Sequence, residues 1–254
     1  MENILEVKDL CKSYVQNAIQ NNVLKNVSFN IKDGEYIAIM GPSGSGKSTL
    51  LYTVSGMDDL TSGSVKLCGR EIENLNDREI SNMRLKEMGF VFQQMNMLKN
   101  LSIYDNIILP AYSGQKRSNR KEINQRAKEL MHQLGILELA NSDITAVSGG
   151  ELQRACICRS LINNPKIIFA DEPTGALNSK NSNEVMNQFT KINGLGTTIL
   201  LVTHDARVAS KCDKIMYICD GYIKGEMVLG KYKDESNLKT RESKLTNWLS
   251  EMGW

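Results

Sequence analysis

Glu35-Tyr36-Ile37-Ala38-Ile39-Met40 runs directly into Gly41-Pro42-Ser43-Gly44-Ser45-Gly46-Lys47-Ser48, and the second stretch reads G-x-x-x-x-G-K-S. The first stretch predicts a buried strand, and Ser48 to Gly56 predicts a helix. Strand, glycine loop and helix in that order are what a phosphate-holding loop requires. Glycines let the chain bend until its N–H groups converge on an anion. The following helix adds its positive N-terminal end. Lys47 supplies a full charge for the β- and γ-phosphates, Ser48 a hydroxyl for Mg²⁺, and Thr49 lies in reach of the α-phosphate. Gly41, Ser43, Gly44, Ser45, Gly46, Lys47, Ser48 and Thr49 are therefore candidate contacts to a nucleoside triphosphate. A glycine-rich turn that binds nothing has no need of lysine and serine in register.

Outward from the loop, the chain reads as alternating strands and helices, an α/β pattern. Ahead of it, Ile4 to Val7 starts one strand, and Val23 to Ile31 is another, alternating through Leu24, Val27, Phe29 and Ile31. Ser62–Gly69, Gly89–Gln93, Lys166–Ala170 and Thr197–Val202 are further strands. Residues 94 to about 160 are expected to be mainly helical, broken by the polar loop Ser113–Arg120. The polar tail from about residue 226 ends in a stretch that places Leu238, Leu245, Trp248, Leu249 and Met252 on one helix face. That stripe either covers the chain's own sheet or serves a partner.

The chain has 254 residues, 41% hydrophobic and 24% charged, which suits one or two compact domains. A net charge of +2 gives no basic field for nucleic acid. No apolar run approaches bilayer length, and the N-terminus carries acids where a secretory signal carries bases. A cytosolic chain that needs a partner for any membrane role is expected. Cys11, Cys68, Cys156, Cys158, Cys212 and Cys219 form no metal or disulfide spacing. They read as reduced, small hydrophobes.

Asp171 closes the apolar run Ile167-Ile168-Phe169-Ala170, so its carboxylate emerges beside the phosphate loop, where it suits Mg²⁺. Glu172, the next residue, is the candidate to orient or deprotonate an attacking water. Gln93 ends its own strand and carries both a donor and an acceptor for Mg²⁺ and that water, with Gln94 one residue away as the alternative. His204 follows the Thr198–Val202 run; a lone histidine is ordinarily structural. His132 is assigned no role.

Between the loop and the Asp171-Glu172 pair stands Val147-Ser148-Gly149-Gly150-Glu151. With His204 after them, these motifs in this order resemble the nucleotide-binding subunit of an ABC transporter, over nearly the whole chain from Leu5 to about Gly225. The resemblance implies a P-loop NTPase fold of ABC type: a RecA-like core (1–93 and 161–225), an antiparallel β subdomain, an inserted helical subdomain (about 94–160) and a C-terminal tail (226–254), all one domain. It implies ATP and Mg²⁺ as cofactors and ATP hydrolysis as the activity. It selects Gln93 over Gln94, places His204 on the γ-phosphate, and puts Tyr14 on adenine, where an edge-strand tyrosine packing on its neighbours is the plain alternative. Ser148, Gly149, Gly150 and Glu151 would bind ATP held by a second copy, in a homodimer. An integral membrane permease would hold the pair at the cytoplasmic face of the bacterial membrane.

Phe90-Val91-Phe92-Gln93, Asp171 to Leu177 and Thr203-His204-Asp205 look like the bacterial group that serves lipoprotein release, macrolide efflux and antimicrobial-peptide resistance. The tail is most similar to subunits of the bacitracin and lantibiotic resistance transporters, which implies a sensor histidine kinase as a further partner. Lipoprotein release or cell division is the alternative within the family. Soluble ABC ATPases that act on ribosomes or DNA carry two such domains or long coiled coils, and this chain carries neither. A GTPase would need an Asn/Thr-Lys-x-Asp motif, also missing.

Two positions depart from the family pattern. Glu151 stands where glutamine is usual, and its charge opposes a triphosphate; Ser148-x-x-Glu151 also fits a capping box, so the helix is expected to persist with ATP closure tuned. Asn178 stands where aspartate is usual, keeping the shape without the charge. Met95, Met97, Leu98 and Leu101, just past Gln93, are read either as a permease-docking surface or as core.

Overall fold

The computed structural model describes residues 2–16, 19–114 and 119–254. Three of its strands, β3 (Tyr36–Met40), β7 (Ile167–Asp171) and β8 (Thr198–Val202), are buried at every position. Such runs belong to strands covered on both faces. They form the middle of a six-stranded sheet with β6 (Met88–Phe92), β9 (Lys214–Cys219) and β10 (Tyr222–Val228), in the order β10-β9-β3-β8-β7-β6. Neighbours from β9 to β6 run parallel. β10 returns antiparallel through Asp220-Gly221, both at positive φ, as a two-residue hairpin turn demands.

β1 (Asn3–Gln16), β2 (Ile19–Lys32), β4 (Ser62–Leu67) and β5 (Arg70–Glu71) form a second, antiparallel sheet in the order β2-β1-β4-β5. Side chains alternate along β3. Ile37 and Ile39 face a core shared with this second sheet and α1 (Lys47–Val54). Tyr36, Ala38 and Met40 face the other core. There α3 (Ile103–Gly114), α4 (Arg120–Gln133), α5 (Gly149–Leu161) and α6 (Ser179–Gly194) contribute. α3, α4 and α5 occupy the chain between β6 and β7. Cys156 and Cys158 on α5 are both fully buried, free thiols, because residues 155–158 of this helix are buried on every face.

Several elements differ from expectation. The strand expected to start at Ile4 runs on to Gln16, β2 begins at Ile19, ahead of the expected Val23, and β6 ends at Phe92, one residue before Gln93. A helix that the apolar pattern did not reveal, α2 (Asp77–Glu87), opens on a reciprocal capping box between Asn76 and Glu79. Residues 94–102 are not helical. The buried Asn106 holds that stretch: its amide nitrogen donates to the carbonyls of Leu98, Leu101 and Ser102, and its oxygen accepts from Leu98 N–H. Of the expected polar loop, residues 115–118 lie outside the described residues.

The tail forms α8 (Leu238–Glu251), and its stripe packs within the chain. Leu238, Leu245 and Leu249 are buried, and Trp248 meets Tyr217 of β9 edge-on at 6.4 Å between ring centroids. Arg241 is buried on the same face. Its guanidinium donates to the carbonyls of Ser210, Cys212, Leu229 and Gly230, joining α8 to the short helix α7 (Ala206–Ala209) and to the end of β10.

Candidate functional site

β3, β8, β7 and β6 are successive neighbours in one parallel sheet, so their C-terminal ends share an edge. Gly41 follows β3, Thr203-His204 follow β8, Asp171 ends β7 with Glu172 next, and Gln93 follows β6. Strand register alone therefore gathers four segments distant in the chain. The C-terminal edge of a parallel sheet is where α/β proteins hold their ligands.

The phosphate loop rises from β3 and turns into α1. Gly41 lies so close to β9 that a Cβ there would sit 2.0 Å from the Ile218 carbonyl oxygen. Gly46, the N-cap of α1, has φ of 99°, a left-handed value that disfavours any side chain. Lys47 curls back into the loop, its Nζ donating to the carbonyls of Gly41 (2.8 Å) and Pro42 (2.9 Å). Burial lowers its pKa, with the Glu172 and Asp171 carboxylates opposing. The Ser45 hydroxyl is buried with no partner among the described residues. A buried cation and an unpaired hydroxyl at the start of a helix form a donor set that suits a polyphosphate.

Ser48 Oγ donates to Asp171 Oδ1 at 2.9 Å, so two of the three candidate magnesium ligands are adjacent. Their hard oxygens suit Mg²⁺. Glu172 carries φ of 46°, an uncommon backbone for a residue with a side chain. Its N–H donates to the Val202 carbonyl, and its Oε1 lies 2.8 Å from His204 Nδ1. The carboxylate is largely enclosed while His204 is largely exposed. Gln93 leans over the turn that follows Glu172: a Cβ on Gly175 would come within 2.8 Å of its Nε2.

Tyr14 stands on β1 with its ring partly exposed. Its hydroxyl donates to Asp58 Oδ2, and Lys12 Nζ sits 4.7 Å from the ring centroid while donating to Asp58 Oδ1 at 2.6 Å. Burial alone would raise the Asp58 carboxyl, but hydrogen bonds from Lys12 and Tyr14 outweigh it and hold the group below its ordinary value. Thr49, from the first turn of α1, reaches the same tyrosine hydroxyl.

Ser148, Gly149, Gly150 and Glu151 lie elsewhere, at the start of α5. The expected capping box is present: the Ser148 hydroxyl and N–H both donate to Glu151 Oε2 (2.7 and 2.8 Å), and Glu151 N–H donates to Ser148 Oγ. The Ser148 hydroxyl first, then its N–H, lowers the Glu151 pKa. Gly150 packs tightly on Asn181 of α6. Asn178 caps α6, accepting from Asn181 N–H. Among the described residues, no hydrogen bond joins Ser148–Glu151 to the loop at Gly41–Thr49.

The profile of a family described as "ABC transporter" matches residues 24–175, more than half of the chain. The chain belongs to the ABC transporter family. This ABC transporter ATPase is 40% identical over 234 residues to the bacitracin export ATP-binding protein BceA of Halalkalibacterium halodurans, covering 92% of this chain and 90% of that one. It is also 40% identical to YknY of Bacillus subtilis, an uncharacterized ABC transporter ATP-binding protein, over 87% of this chain and 95% of that one. Among solved structures it resembles dimeric MJ0796, a bacterial ABC transporter cassette, with a TM-score of 0.83 and 38% identity over 90% of this chain and all of that one. The post-hydrolysis form of MJ0796, dimeric and bound to ADP and Pi, matches with a TM-score of 0.79.

Sequence motifs missed three residues around this ABC ATPase site. Lys12 and Asp58 carry no motif, and only the pairing of β1 against the chain after α1 unites them under Tyr14. Tyr52 lies one turn beyond Ser48 on α1, and its hydroxyl donates to Asp171 Oδ2 at 2.7 Å. The i, i+4 spacing from Ser48 was the available signal.

The stretch after Gln93 divides. Met95 and Met97 pack against the core, whereas Leu98 is exposed. Leu98, with Leu85, Phe90, Leu109 and Pro110, lines a largely apolar groove of 540 Å³ between α2, β6 and α3. Arg84 and Arg159 stand among the groove residues. None of the described helices is long and apolar enough to cross a membrane.

Proposed function

We propose that this ABC ATPase powers a bacterial transporter for cell-wall-active peptides of the bacitracin or lantibiotic kind, as a homodimer bound to an integral membrane permease at the cytoplasmic face. The observation that carries the substrate class is the 40% identity to a bacitracin export subunit over nine-tenths of both chains. The groove beside Leu98 suits an apolar segment of the permease. A sensor histidine kinase is proposed as a further partner of the assembled transporter.

The site residues take these roles. Lys47 and the N–H groups of Gly41 to Thr49 hold the phosphates of ATP. Ser48 and Asp171, with Gln93, would hold Mg²⁺, which would supply positive charge to the phosphates. Tyr14, anchored by Asp58, stacks on adenine. Glu172 accepts a proton from the attacking water or orients it, and His204 steadies that carboxylate while reaching the γ-phosphate. Ser148, Gly149 and Gly150, at the N-terminus of α5, close on ATP held by the partner copy, with Glu151 beside them. Their separation from the loop within one chain, and the dimeric form of the MJ0796 cassette, support that assignment.

The test is capture from membranes. Tagged Glu172→Gln, which should bind ATP without hydrolysing it, is solubilised with ATP and Mg²⁺, and co-purifying proteins are identified by mass spectrometry. A permease with a large extracellular domain, together with a sensor kinase, is the expected result. Recovery of lipoprotein-release or cell-division components instead overturns the peptide assignment. A soluble ribosomal or DNA complex without a permease overturns the membrane assignment as well.

A further inference from the structure

Tyr52 is the residue beside the candidate magnesium pair that no motif explains. Asp171 is buried, and its two carboxylate oxygens have separate partners: Ser48 Oγ on Oδ1 and Tyr52 OH on Oδ2. Both partners come from one face of α1, a single turn apart, so the helix grips the carboxylate as a pair of fingers. The tyrosine ring is fixed in turn. It meets Phe92 edge-on at 6.3 Å, Phe92 stacks on Phe90 at 6.0 Å, and Phe90 stacks on Phe169 at 5.6 Å, two residues before Asp171. The aromatic series therefore runs from the tyrosine that meets the carboxylate to the strand that carries it, and Phe92 is also the last strand residue before Gln93. The main chain of Tyr52 is committed as well, its carbonyl accepting from the N–H groups of Met57 and Asp58.

We propose that Tyr52 is a positioning residue for Mg²⁺: its hydroxyl holds Asp171 Oδ2 so that the remaining carboxylate oxygen faces Ser48 and the metal. This rests on the assignment of Ser48 and Asp171 as magnesium ligands. The physical reason is pre-organisation. A carboxylate with one oxygen engaged by a rigid donor has lost its rotation before the ion arrives, and partners of this kind set metal affinity through the ligands they orient. A phenol on a fixed ring serves better than a flexible donor, because less side-chain freedom remains to be lost.

The experiment measures ATP affinity in the non-hydrolysing Glu172→Gln background, once with excess Mg²⁺ and once with EDTA. The ratio of the two affinities is the gain due to the metal. Tyr52→Phe keeps the ring and its contact with Phe92 and deletes only the hydroxyl. It is expected to leave affinity in EDTA unchanged and to cut the magnesium-dependent gain by about tenfold, the lower end of the effect typical of such partners. Mn²⁺ titrated in place of Mg²⁺, followed by electron paramagnetic resonance, should show the same weakening directly. Equal loss of affinity with and without metal would mean that the hydroxyl serves the fold alone, and an unchanged gain would mean that it serves nothing at the site; either overturns the proposal. Asp171→Asn separates the two levels of inference. If that variant also retains the full gain, the magnesium assignment has failed; if it loses the gain while Tyr52→Phe does not, only the role of Tyr52 has failed.

Discussion

Glu172 Oε1 and His204 Nδ1 lie 2.8 Å apart, across the ends of neighbouring strands β7 and β8. The histidine is exposed and the carboxylate is not, so the contact costs the fold little and restrains the acid. His204→Ala is expected to lower kcat by about 100-fold or more, the usual scale for a group that assists proton transfer. Its melting temperature should stay within experimental error, since exposed substitutions seldom exceed about 0.5 kcal/mol. Glu172→Gln should stop turnover and keep ATP binding. Combining the two should cost little more than Glu172→Gln alone, because residues that act as a unit are not additive. Steady-state ATPase assays with thermal melts check all three.

Lys47 Nζ is held by two loop carbonyls, ready to exchange them for phosphate oxygens. Lys47→Met keeps the stem and removes the charge. A charge-assisted hydrogen bond is worth about 1.5–3 kcal/mol, so ATP affinity should fall roughly 10- to 100-fold. Equilibrium binding of a fluorescent ATP analogue is the measurement, and an unchanged affinity would remove Lys47 from the phosphate site.

Glu151 caps the helix that carries Ser148. Its pKa lies below the ordinary value of 4.5, so the stability it contributes is complete above that pH and disappears as the pH falls through the lower folded value. The difference in melting temperature between the native chain and Glu151→Ala should therefore be constant near neutrality and vanish in strong acid. Glu151→Gln removes the charge that the proposed dimer would set beside the partner copy's triphosphate. It is expected to close the ATP dimer at lower ATP concentration, as size-exclusion chromatography in the Glu172→Gln background would show.

Arg241 satisfies four carbonyls at the root of the tail helix. Arg241→Ala leaves them buried without a donor and should cost on the order of 3 kcal/mol. That corresponds to a fall of about 6–12 °C in melting temperature for a chain of this size. ATP affinity at the distant sheet edge should not change. Deletion of residues 238–254 should be more destabilising still, because it also exposes the face of β9 under Trp248. A truncated chain of normal stability that loses its partners would instead assign α8 to docking.

The phosphate loop, the Asp171-Glu172 pair and the Ser148–Glu151 box were legible in the sequence because each depends on neighbours in the chain: a strand end, a glycine turn, a helix start. α2 was missed because its apolar residues are too few to show a period, although Asn76-x-x-Glu79 announced its first turn. The stretch 94–102 was misjudged because a single side chain, Asn106, holds its backbone in place of helical hydrogen bonds. The tail stripe left open whether its partner was this chain or another; the burial of Leu245 and Leu249 and the hold of Arg241 on four carbonyls decide for this chain.

By itself, then, the sequence determined the family: where a glycine loop follows a buried strand, which carboxylate ends another, and which helix begins at Ser148. Only the tertiary structure decided which of those groups meet. The Glu172–His204 contact, the hold of Tyr52 on Asp171 and the Asp58 anchor under Tyr14 each depend on the order of strands in a sheet. Local backbone chemistry is written residue by residue, whereas the approach of distant side chains is set by how sheets and helices bury their apolar faces together, a property of the whole packed core.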